Sequence, residues 1–184
     1  MIKTLLKKQF AEMFRSYLYD AKKNKKRSKT SFVLYVLLFA FLMVVVLGGI
    51  FTLLAVALCA PLKEAGMGWL YFTLLGLLAV VLGAFGSVFN TYSGLYLAKD
   101  NDFLLSMPIP VGSIMTARLL GVYLMGLMYS AVVAIPAILV HQVLYPDVTV
   151  LASSFLWFIL VSVIVLTLSL ALGYLVAKIS LKLK

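Results

Sequence analysis

The chain has 184 residues, of which 64% are hydrophobic and 12% charged, and its formal net charge at pH 7 is +10. Soluble domains carry about 25% charged and about 45–50% apolar residues, and so few charges cannot cover this much apolar surface in water. The composition therefore excludes a soluble domain and makes lipid the solvent for most of the chain.

The positive charge is concentrated near the N-terminus. Ten of the sixteen basic residues lie in the first thirty positions, before any long apolar segment. This clustering is typical of a cytoplasmic segment under the positive-inside rule, and it favours contact with anionic lipid headgroups rather than nucleic acid. Cys59 is the single cysteine, so the chain cannot form an intrachain disulfide or a thiolate zinc cluster.

Residues 1–30 are predicted to form an amphipathic helix over 1–20 and a basic linker. Apolar residues recur at helical spacing, with basic side chains on the other side, and such a helix lies in the membrane interface. The same pattern also fits a helix packed on another protein surface. The predicted interface residues are Lys3, Lys7, Lys8, Phe10, Phe14 and Arg15.

Residues 31–184 are predicted to form an all-α, polytopic membrane bundle of four transmembrane helices. The apolar segments cover about 32–58, 69–92, 119–144 and 150–176. The first has about 27 residues, against the roughly 20 needed to span the hydrocarbon, and is too long for a cleaved signal peptide. We expect a turn from Pro61 to Gly68 and a kink at Pro136.

The distribution of basic residues predicts the orientation. If the N-terminus is cytoplasmic, fifteen basic residues lie inside and only Lys63 lies outside. The reverse orientation places fifteen on the wrong side. We therefore expect a multi-pass protein of a bacterial cell membrane with both termini in the cytoplasm.

The second predicted span carries small residues every three or four positions. Such a face lets helix backbones approach closely in lipid. Asn90 is a special member, because a buried amide needs a partner, although water can serve near the cytoplasmic end. Trp69 and Tyr71 stand where an interfacial aromatic belt is expected. The predicted packing residues are Gly76, Gly83, Gly86, Ser87 and Asn90.

The sequence lacks the usual catalytic patterns. It has no glycine-rich phosphate loop followed by lysine and no HExxH motif. None of the six acidic residues falls in a predicted span, whereas ion-coupled carriers usually hold an ionisable residue at membrane depth. His141 fits a solvated interface residue better than a proton relay. We expect no enzymatic activity and no cofactor, so energy for transport would come from a partner.

The segment between the second and third spans, residues 98–118, begins polar and then contains two prolines. Asp100 or Asn101 can cap a short helix, Pro108 and Pro110 end it, and Ser113 is a candidate cap for the next helix. The stretch FNTYSGLYLAKDNDFLLSMPIPVGSIMTAR, together with the amphipathic helix predicted for residues 1–20, resembles the membrane subunit of type-2 ABC exporters.

That resemblance implies a cytoplasmic coupling helix that docks on a separate ATPase subunit, where ATP would bind. A ridge of apolar side chains flanked by acids suits docking into a partner groove, although Phe and Leu dipped into headgroups is the alternative. The implied coupling residues are Asp100, Asn101, Asp102, Phe103, Leu104, Leu105 and Met107.

The resemblance makes an ABC exporter permease the first functional hypothesis. Such a permease usually has six spans, so a longer chain, or a second polypeptide such as another permease half, would supply the rest. The second hypothesis is a non-transporting membrane scaffold that uses the glycine face for partner helices and the basic N-terminus for lipid. Only the permease requires Phe103 and Asp102 in the middle segment. No substrate-contacting residue is implied.

Overall fold

The computed structural model describes residues 19–20, 25–26, 29–96 and 110–182. Two short strands, β1 (Tyr19–Asp20) and β2 (Lys25–Lys26), pair antiparallel. The last two residues of the predicted N-terminal helix are therefore extended. The rest of that helix and its six interface residues lie outside the described residues.

The other described residues form long helices. Four helical stretches among them are long and apolar enough to cross a membrane: Val33–Glu64, Gly68–Tyr96, Val111–Leu144 and Val148–Lys182. They confirm the four predicted spans, and below they are called the first to fourth spans. The elements are α1 (Lys29–Phe41), a π-helix (Leu42–Leu47), α2 (Gly48–Glu64), α3 (Gly68–Thr91), a second π-helix (Tyr92–Tyr96), α4 (Val111–Leu144) and α5 (Val148–Lys182).

The first span ends later than predicted. Pro61 lies inside α2, and the turn occupies residues 65–67, where Gly66 has a φ of 72°. The Ala65 N–H donates to the Pro61 carbonyl at 3.0 Å. Proline removes one N–H from the helix, while in lipid every other backbone group still needs an internal partner. Continuing the helix satisfies those groups, so the predicted turn is present but begins at residue 65 and not at Pro61.

The third span begins earlier than predicted. Pro110 precedes α4, and the Ser113 N–H donates to the Pro110 carbonyl at 2.9 Å, so Ser113 is inside the helix rather than at its cap. Arg118 lies in this helix, as predicted for the helix that follows Ser113, and its side chain is buried. The 34 residues of α4 measure about 51 Å at 1.5 Å each, well beyond the ~30 Å of hydrocarbon.

Contacts between helix ends show that successive spans alternate in direction. The Tyr92 hydroxyl donates to the Ser180 Oγ at 2.9 Å, which places the end of the second span beside the end of the fourth. The Lys63 Nζ lies 4.5 Å from the centre of the Tyr145 ring, which places the end of the first span beside the end of the third. The start of α4 and the end of α5 therefore extend from the same end of the bundle.

The buried core is formed mainly by the second, third and fourth spans. In the most apolar part of each span, 39% of the residues are buried in the second span and 39% in the third, against 6% in the first. The first span contacts the bundle mainly through α2, which packs on α4. It is a peripheral helix whose outer face lies open.

Candidate functional site

Two glycines and one valine set the distance between the three core helices. A Cβ added at Gly83 of α3 would lie 2.8 Å from the Val165 Cγ1 of α5, and one added at Gly126 of α4 would lie 2.9 Å from the same methyl. Such separations are shorter than van der Waals contact. Val165 is fully buried, so its isopropyl group fills a space that exists only because both neighbours lack a side chain.

The other predicted packing glycines also face side chains of this chain. A Cβ at Gly86 would lie 2.8 Å from the Tyr129 ring, and one at Gly76 would lie 3.0 Å from the Trp157 ring. The small-residue face of α3 is thus filled from within. It is not open to partner helices, which the scaffold hypothesis requires of it.

Hydroxyl groups join the same helices. The Ser87 Oγ lies 2.6 Å from the Ser169 Oγ, and both lie within 2.7 Å of a carbonyl of their own helix. The Tyr123 hydroxyl lies 3.0 Å from the Ser162 Oγ. Buried hydroxyls need partners in lipid, and these pairs meet that need without charges.

The end of the bundle where α3 begins and α4 ends holds an aromatic cluster. Tyr71 is buried and donates to the Ala137 carbonyl at 2.8 Å, so it is a core residue and not part of an interfacial belt. His141 is only 6% exposed, with its ring centre 5.2 Å from that of Phe72. The expected solvated histidine is therefore wrong. Trp69 is 67% exposed, as an interfacial residue would be.

A cavity of about 860 Å³ lies between the first span and α4. The first span lines it from Tyr35 to Thr52, and α4 lines it from Met125 to Leu139. Asn90 is its one contributor from α3. No Asp, Glu, Lys, Arg or His is among the described residues that line it.

Both walls of the cavity contain an irregular helical segment. The π-helix Leu42–Leu47 contributes Met43, Val44 and Val45 to one wall. On the other wall, Pro136 has no N–H to donate to the Val132 carbonyl, and both residues line the cavity. π-Bulges and interrupted helices are common at functional sites in membrane proteins.

Asn90 supplies a polar group to this apolar cavity. Its side chain is half-buried, and the hydrogen bonds among the described residues include none to its carboxamide. The amide can donate and accept at once. The sequence singled out Asn90 for helix packing, whereas the structure places it on the cavity.

The implied coupling residues, Asp100 to Met107, lie outside the described residues. Within the described ranges, no group of three or more His, Cys, Asp or Glu side chains could hold a metal ion. The first-span wall was not predicted from the sequence, although the adjacent Gly48 and Gly49 are a signal that could have marked it.

A search of protein-family models, of curated proteins and of solved structures finds no match to this chain.

Proposed function

We propose that the chain is the membrane-spanning permease subunit of an ATP-driven ABC exporter, in which a partner ATPase drives substrate movement. The proposal rests first on the resemblance of KDNDFLLSMPIP (residues 99–110, the middle segment below) and its flanking helices to such permeases. The main structural support is that this segment connects α3 to α4, because α4 also forms one wall of the cavity.

This arrangement offers a mechanical route from the middle segment to the cavity. The second span and α4 flank the segment, and they are the two most closely packed helices of the bundle. Gly86 admits the Tyr129 ring between them, so a displacement of the segment would move both helices together. Tyr129 and Asn90 line the cavity, so the same displacement would change its shape.

The exposed first span fits the same proposal. It is the least buried of the four spans of the described chain, with 6% of its most apolar part buried, as expected if further spans or a second permease half complete the transmembrane domain. The scaffold alternative has less support, because the glycine face it would use is already occupied by Tyr129, Val165 and Trp157.

In the proposed orientation, both termini and the middle segment are cytoplasmic. Arg118, Lys178 and Lys182 lie at the end of the bundle from which α4 starts and α5 ends, while Lys63 lies at the other end. The positive-inside rule assigns the end with more basic residues to the cytoplasm. This orientation puts the middle segment within reach of a soluble ATPase.

Affinity purification from native membranes in mild detergent tests the function. Wild type is compared with the Asp102→Lys, Phe103→Asp double variant, and both bound ATPase subunit and ATP hydrolysis are measured. We expect the wild-type preparation to contain an ATPase subunit and to hydrolyse ATP, and the double variant to lose both.

Lys178→Glu is the matched control, since it reverses a charge at the same end of the bundle but outside the middle segment. It should retain the ATPase, and all three proteins should reach the membrane in equal amounts. A wild-type preparation without an ATPase subunit contradicts the proposal, as does equal recovery with the double variant.

A further inference from the structure

We propose that the cavity between the first span and α4 binds an uncharged amphiphile, with its apolar tail along the first span and its polar group at Asn90. The proposal deepens the permease function and rests on it where the bound molecule is taken as the substrate. Binding itself is a property of this chain alone, so it can be tested without the ATPase.

The dimensions of the cavity suit a long apolar tail. Its volume of about 860 Å³ falls within the roughly 300–1,000 Å³ of small-molecule sites. The first-span wall extends over 17 residue steps from Tyr35 to Thr52, or about 26 Å of helix. The cavity is therefore elongated along the direction in which lipid tails lie.

The cavity opens on the outer surface of the described helices rather than toward the interior of the bundle. On the first-span wall, Val44 is 68% and Val45 54% exposed, and on the α4 wall, Leu139 is 58% exposed. A large exposed apolar surface in a membrane helix faces either acyl chains or another helix. A molecule dissolved in the bilayer can enter here sideways without crossing water.

The absence of charge in the described lining selects against charged headgroups. A charged group would lose its hydration in the cavity and find no described counter-charge there. The Asn90 carboxamide instead offers both a donor and an acceptor, which matches a hydroxyl, ester or amide. The lining therefore matches an uncharged amphiphile with one small polar group.

Photolabelling of the purified full chain in nanodiscs tests the proposal. The probe is diacylglycerol with a photoreactive acyl chain, and the comparison probes carry the same chains with a phosphoglycerol or a trimethylammonium headgroup. We expect diacylglycerol to label peptides containing residues 35–52 and 125–139, and unlabelled diacylglycerol to compete. Asn90→Leu should weaken that competition about threefold to tenfold, as the loss of one hydrogen bond predicts.

Two cavity-filling variants and one control separate the cavity from ordinary lipid contact. Gly49 lines the cavity, and a Cβ there would meet no atom within 4 Å, so Gly49→Phe can fill the space without displacing backbone. Ala131→Phe fills it from α4. Both should abolish specific labelling, whereas Ile164→Phe, on the exposed side of α5, should leave it unchanged.

Several results would overturn the proposal. Equal labelling of all variants would mean contact with bulk lipid only, and stronger labelling by either charged probe would contradict the assigned ligand class. Cross-links between the cavity wall and a second polypeptide would identify the occupant as a protein helix.

Failure of ATPase co-purification with normal diacylglycerol binding would leave this site intact and reject the permease function instead.

Discussion

The close approach of α3 and α5 depends on a single missing methyl group at Gly83. Because a Cβ at Gly83 would approach Val165 to 2.8 Å, Gly83→Ala must displace α5 or force Val165 from its rotamer. Overpacking of this kind costs about 1–3 kcal/mol. We expect Gly83→Ala to lower the free energy of unfolding by that amount, measured by thermal or denaturant unfolding in detergent.

A double variant assigns that loss to one contact. Val165→Ala removes the two methyl groups that the new Cβ would meet, so Gly83→Ala with Val165→Ala should be less destabilised than the two single effects added together. Gly112→Ala is the control, because a Cβ at Gly112 meets no atom within 4 Å and alanine favours helix. Equal destabilisation by Gly83→Ala and Gly112→Ala would contradict the packing argument.

Asp147 stabilises the start of α5 from outside the membrane-spanning segments. Its Oδ1 accepts hydrogen bonds from the Thr149 hydroxyl at 2.7 Å and the Thr149 N–H at 2.9 Å. These bonds, the hydroxyl foremost, lower the pKa of the carboxyl group. The arrangement is that of a helix N-cap.

The lowered pKa gives this cap a defined pH dependence. A carboxylate with a depressed pKa adds stability that is fully present above the usual aspartate pKa, about 3.9, and is lost as pH falls through the folded-state value. We expect wild type to melt at a higher temperature than Asp147→Asn at pH 7, with the difference shrinking below about pH 4. A difference that grows on acidification would contradict this role.

At the scale of helices, composition and apolar length were enough to predict the four spans but not their ends. The predictions placed boundaries at Pro61 and near Leu119, where the sequence turns polar or contains proline. The structure carries α2 through Pro61 and starts α4 at Val111. Backbone hydrogen bonding in lipid outweighs the local signal at Pro61, whereas α4 begins directly after Pro110, ahead of the apolar segment that predicted the third span.

Burial was the other feature that the sequence did not reveal. His141 and Arg118 are polar and near span ends, which predicts exposure, yet both are buried. Their burial depends on which helices lie beside α4, and the periodicity of a single helix does not specify which helices pack against it. The small-residue face was recognisable because its spacing is a property of α3 alone, but its partners Val165, Tyr129 and Trp157 were not.

The proline in α4 offers a test of the relation between helix irregularity and the cavity. Pro136→Ala restores an N–H that can donate to the Val132 carbonyl, so we expect the variant to unfold at a higher temperature. A more regular α4 should also fit the present cavity wall less well. Diacylglycerol labelling should therefore fall while stability rises.

Pro61→Ala is the matched control for that prediction. Pro61 lies inside α2 but does not line the cavity. Its replacement should raise the unfolding temperature and leave labelling unchanged. Undiminished labelling of Pro136→Ala would show that the cavity does not depend on the interrupted hydrogen bond.

At the scale of the whole molecule, the described chain has a rigid part and a peripheral part. Three helices are held together by glycine contacts and hydroxyl pairs, and the first span lies beside them with the cavity between. In the proposed permease, a force applied between the second and third spans would act on the rigid part. The first span would then be the surface against which the cavity opens or closes.

This mechanism requires the middle segment to be cytoplasmic, and cysteine accessibility tests that requirement. In a Cys59→Ala background, single cysteines replace Ala65 and Pro146 at one end of the bundle and Lys178 at the other; all three positions are exposed. We expect a membrane-impermeant maleimide to label Ala65→Cys and Pro146→Cys in intact cells. Lys178→Cys should react only after permeabilisation.

The opposite labelling pattern would have a wider consequence. It would place Asp102 and Phe103 outside the cell, away from any soluble ATPase, and so contradict the permease proposal without a co-purification experiment. The cavity and its uncharged lining would be unaffected, since neither depends on which end faces the cytoplasm. Orientation thus decides whether an ATPase can reach the middle segment. Amphiphile binding depends separately on the residues that line the cavity between the first span and α4.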